Sequence, residues 1–148
     1  MTETEQETSS ALRAAKALRV ELKSAVSQVE VAAAGPIKEP GWQAELLQAL
    51  EGLRIALDQH VEEVEADHGL LVEVENASPR LARTVVQVRD EHPVLQRQVA
   101  ATIAVAKEQG NSDHVRTHVL ETLMAVARHR QAGADLVYES YSVDLGGG

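Results

Sequence analysis

The chain has 148 residues, and its 44% apolar fraction rests on Ala, Val and Leu, with no Phe and only Trp42, Tyr138 and Tyr141 as aromatics. That suits one domain of closely packed helices and speaks against an aromatic-rich sheet. A net charge of −9 with scattered basic residues removes the attraction to phosphate backbones on which nucleic-acid binding rests. The lack of cysteine excludes disulfides and thiolate metal sites, so a metal must be held by His and carboxylates.

The segment MTETEQETSS is acidic and polar, unlike a secretory signal, and residues 1–8 read as a flexible leader. Leu12, Ala15, Leu22, Val26 and Val29 then recur at helical spacing until Gly35-Pro36 stops the pattern. The segment GPIKEPGW is a loop by composition. Trp42 opens a second helix in which Leu46, Leu50, Leu53, Leu57, His60 and Val64 step by fours and threes, the spacing of a bundle seam. Leu71 and Val74 keep this register past Gly69, so the helix is expected to run to about Asn76.

Ser78-Pro79 has the form of a cap followed by a first-turn proline. Leu81, Val85, Val88, His92, Leu95, Val99 and Ala106 repeat the seam in a third helix, where Pro93 removes an amide and should bend the chain near His92. Gly110-Asn111-Ser112 ends it and caps a fourth helix with Val115, Val119, Leu123, Val126, Gly133, Val137 and Tyr141 inward. The tail from residue 144 is too Gly-rich to continue. Four helices on short connections predict an all-α, antiparallel up-down-up-down four-helix bundle spanning residues 1–148 as a single domain. No apolar run approaches the roughly 20 residues that cross a bilayer, which predicts a cytoplasmic protein without a membrane partner.

In such a bundle, residues equidistant from a turn lie at similar height. The turn near 111 sets His92 level with about residue 130, beside His129, and the turn near 77 sets it level with about residue 62, beside His60. Three imidazoles in one apolar layer are costly if protonated. A shared divalent cation relieves that cost, as does a hydrogen-bonded polar layer or shared water. His114 and His118, an i, i+4 pair, read as surface, and His68 as exposed.

From Trp42 onward the chain resembles the hemerythrin-like family, also described as HHE cation-binding domains. The likeness rests on His60 with its following acidic residues and GLL, the PRL that opens the third helix, the Glu91-His92 pair, and the closing RHRQAGADLVYESYSVDLGGG. The resemblance implies an up-down four-helix bundle with a non-haem di-iron centre, and His60, His92 and His129 match its histidines. At the places where the family sets bridging carboxylates, this chain has Val64 and either Gly133 or Ala134; Glu63 and Glu65 flank the first of these and Asp135 follows the second. Loss of both bridges favours one cation over two, because such carboxylates neutralise adjacent ions.

The resemblance therefore implies a metal-binding protein with iron, one ion or two, held by His60, His92 and His129 with support from Glu63 or Glu65. Its small ligand would be oxygen, peroxide or nitric oxide. The alternative is a metal-free helical module acting through protein or small-molecule contacts, with Tyr138, Glu139, Tyr141 and Asp144 as one surface. No nucleophile elbow, phosphate loop or zinc-protease motif supports a hydrolase or transferase.

Overall fold

The computed structural model describes residues 2–108 and 110–141, with side chains from Ser10 onward. The tail expected from residue 144 lies outside the described residues. Four long helices carry the fold: α1 (Thr2–Ala34), α2 (Trp42–Glu65), α4 (Ala82–Lys107) and α5 (Ser112–Glu139), with a short α3 (Leu70–Ala77) between α2 and α4. A single 3-10 turn, Pro79–Leu81, leads into α4. No strand occurs among the described residues, and no described helix is long and apolar enough to cross a membrane.

The seam residues of α2 and α4 are buried as their spacing predicts. Leu46, Leu50, Leu53, Leu57 and Val64 face inward on α2, and Val85, Val88, His92, Leu95, Val99 and Ala106 on α4. α1 packs on α2, α2 on α4, α4 on α5, and α5 returns to α1, so that the four apolar stripes enclose one interior. On α5 the inward face beyond His129 is carried by Leu136, while Val137 and Tyr141, expected inward, are only partly buried.

Polar groups secure the ends. Asn111 Oδ1 accepts from the Asp113 and His114 amides at 3.0 and 3.2 Å, the N-cap that its sequence context predicts. α1 has no basic residue in its last turn. Arg116 of α5 supplies the missing donor, bonding the carbonyls of Ala33 at 2.8 Å and Gly35 at 2.5 Å and lying 5.7 Å from the Trp42 ring centre.

Two expectations are corrected. The second helix does not continue to Asn76: it stops at Glu65, and Ala66 turns to an extended conformation before α3 begins. Gly69 is the reason the chain can do this. A Cβ there would lie 2.4 Å from the Glu63 carbonyl oxygen and 2.9 Å from that of Val64, so the close approach of the turn to the end of α2 requires glycine. Ser78 is not a side-chain cap; its hydroxyl meets that of Ser140 at 3.0 Å, both fully buried. α4 runs unbroken through Pro93.

Candidate metal centre

Three helices each place one imidazole in the same layer. On α2, His60 falls between Leu57 and Val64; on α4, His92 falls between Val88 and Leu95; on α5, His129 falls between Val126 and Leu136. The ring centres are 5.9 Å apart for His60 and His92, 6.0 Å for His60 and His129, and 4.8 Å for His92 and His129. One nitrogen from each ring lies within 4.8 Å of the other two. With metal–nitrogen bonds of 2.0–2.1 Å, tetrahedral donors sit about 3.4 Å apart, so modest ring rotations close the gap.

Carboxylates hold two of the rings from behind. His92 Nδ1 pairs with Glu65 Oε2, and His129 Nδ1 lies 2.6 Å from Glu91 Oε1. A carboxylate can only accept, so each Nδ1–H donates and each Nε2 is left with its lone pair for the interior. That carboxylate–histidine arrangement is how metal-binding imidazoles are oriented and made more basic. Glu65, expected as carboxylate support for a metal, pairs instead with the outer nitrogen of His92. Glu63 does not join the cluster, and Asp135 is exposed and accepts from Gln131 at 2.8 Å. Glu91 was not among the expected site residues: it stands 100° around α4 from His92, and its contact with His129 depends on how α4 and α5 pack.

The inner side of the layer is unsatisfied. His92 Nε2 and His60 Nδ1 are shielded from solvent and have no hydrogen-bond partner, a condition that costs about 1–3 kcal/mol per group. Burial, reinforced by the neighbouring His92 and His129 and by Arg19, pushes the His60 pKa down to about 4. Burial also lowers that of His92, outweighing the Glu65 hydrogen bond. Both rings are therefore neutral at pH 7, the form that ligates a cation.

The rings border a cavity of about 40 Å³ shared with Arg19, Val64, Arg130 and Leu136. No Asp or Glu lines it, and Val64 and Gly133 are on its wall. A pair of adjacent cations needs bridging oxygens, so this donor set suits one ion and does not fit two. Outside, between α4 and α5, an open groove of about 620 Å³ reaches Glu91 and His129. Away from this layer, the His114 and His118 ring centres are 4.8 Å apart, but His114 is exposed and no third donor joins them among the described residues. His68 is exposed, as expected. Comparison of the chain with protein-family models, curated proteins and solved structures finds no match.

Proposed function

We propose that the chain is a metal-binding bundle of the hemerythrin-like kind, with its four long helices in an antiparallel up-down-up-down order, holding one transition-metal ion through His60, His92 and His129. The observation that carries this reading is the polarity of the layer: Glu65 and Glu91 anchor two imidazoles on their outer nitrogens, while inner nitrogens are buried without partners. Imidazole donors suit iron or zinc. Three nitrogens leave at least one coordination position for an outside ligand, and an iron there would supply redox chemistry towards oxygen, peroxide or nitric oxide. The chain's own part is to keep the imidazoles neutral, fix their orientation and exclude bulk water with Val64, Leu70 and Leu136. Chelator-stripped protein dialysed against Fe2+ or Zn2+ should retain one equivalent by elemental analysis, and His92→Ala should retain none. Absence of uptake, or uptake unchanged by that substitution, overturns the reading.

A second reading is favoured by the size of the cavity. About 40 Å³ exceeds the roughly 10–15 Å³ that a single water requires, and one water can bridge the unpartnered ring nitrogens. The chain would then be a metal-free module acting through protein or small-molecule contacts. His92→Ala would alter stability modestly and metal content not at all.

A further inference from the structure

Two arginines share the cavity with the imidazoles. Arg19 comes from α1 and Arg130 from α5, and both line the same wall as His60, His92 and His129. Arg19 is close enough to His60 to disfavour its protonation. Arg130 Nε is shielded from solvent and has no hydrogen-bond partner. Neither guanidinium has an acidic partner among the described residues, and the acids nearest the layer, Glu65 and Glu91, are engaged behind the rings.

The charge balance inside the cavity is therefore one-sided. Imidazole ligands bring no negative charge to a divalent ion, and the two carboxylates behind them, Glu65 and Glu91, offset only part of the total once two guanidinium groups are added in an apolar surrounding. A neutral ligand does nothing for that imbalance. An anion meets it directly, because a guanidinium presents a planar fork of donors that matches a carboxylate or oxoanion, and Arg130 Nε is a donor still to be used. The volume restricts the anion to a few heavy atoms.

The geometry points to a small anion, of the carboxylate or inorganic oxoanion class, as the ligand of this cavity, seated against the ion held by the three histidines and bound by Arg19 and Arg130. This rests on the single-ion reading above. It separates ligands by charge: small anions enter the coordination position, and neutral molecules of the same shape do not compete with them.

Co2+ provides a visible probe, since its absorption bands respond to the ligand set. Protein loaded with Co2+ is titrated with sodium formate and, separately, with formamide, a neutral molecule of the same heavy-atom count. Formate should shift the bands saturably, with at least tenfold higher affinity than formamide. Arg19→Gln and Arg130→Gln should each weaken formate binding about fivefold or more, with Co2+ stoichiometry still one, and Arg19→Lys and Arg130→Lys, which keep the charge but lose the fork, should recover only part of the affinity. A chain that takes up no Co2+ overturns the single-ion reading and this proposal together. Uptake of one Co2+ with equal affinity for formate and formamide, or with formate affinity unchanged when both arginines are Gln, overturns this proposal alone. The formate and formamide comparison uses the unaltered chain, so it decides the matter even if an arginine variant does not fold.

Discussion

Two buried polar layers in this bundle are built in opposite ways. Where α4 meets α5 in the larger apolar cluster, Thr102 and Thr122 are fully buried, their hydroxyls 2.6 Å apart, and Thr102 also donates to the Gln98 carbonyl at 3.0 Å. The threonine layer closes on itself. The histidine layer, by contrast, divides the interior into two clusters, one around Leu46, Leu50 and Val99 and the other around Val64, Val74 and Val85. It is satisfied on its outer side by Glu65 and Glu91 and left open within. A polar layer that serves packing alone is completed internally, as the threonines are; one left open inside costs stability until something else enters.

The largest effect that separates the layers is on metal uptake. Alanine at His60, His92 or His129 should reduce bound Fe2+ or Zn2+ from one equivalent towards zero, while Thr102→Val should leave it unchanged, both read by elemental analysis. Equal behaviour of the two layers would erase the functional distinction between them.

Acid should act on the histidine layer next most strongly. His60 titrates near 4 when folded and near 6.5 in its ordinary state, so between those values the unfolded chain holds the extra proton. Its contribution to stability is complete above about pH 6.5, falls as the pH drops towards 4, and is level below that. At about 1.4 kcal/mol per pH unit this amounts to roughly 3 kcal/mol. Urea unfolding of metal-free protein at pH 7 and pH 4.5 should show the loss, and His60→Leu should remove that part of it. A loss identical in His60→Leu would assign the acid sensitivity to other groups.

Replacing the anchoring carboxylates has a smaller expected effect. Glu65→Gln or Glu91→Gln keeps a hydrogen-bond acceptor for the ring but removes the charge, and should weaken metal binding about 10–100-fold. Competition with a chromophoric chelator measures it; an unchanged affinity would make both contacts incidental. The smallest effect belongs to the closed layer. Thr102→Val should cost about 1 kcal/mol by leaving the Thr122 hydroxyl alone, and the double change to Val at both positions should recover most of it. Additive costs in thermal unfolding would contradict the closed-pair description.

Much of the fold was legible in the sequence because the seams of α2 and α4 and the Asn111 cap are local patterns that tertiary contacts did not override. The break after Glu65 was not legible. Leu71 and Val74 continue the register of Leu57 and Val64 across it, so periodicity sees continuity, and only the crowding at Gly69 shows that the backbone turns. His92 and His129 were legible because their distances from the turn near 111 are fixed by the constant rise of a helix, whereas His60 joins them although α2 stops at Glu65, well short of the turn near 77 from which its level was counted. Glu91 and the two arginines were not, since their roles depend on which way each side chain leans between neighbouring helices.

By itself the sequence determined that the chain is helical, most of the residues that form its interior and that His92 and His129 enter that interior at one level, because helix period and rise convert spacing into position. The tertiary structure alone decided how those imidazoles are used. It set Glu65 and Glu91 behind His92 and His129, left Glu63 and Asp135 outside the cluster, and brought Arg19 from α1 and Arg130 from α5 to one small cavity. Charge, tautomer and solvent exclusion at the layer arise from side chains distant in sequence, and their energies exist only once packing has removed the water between them.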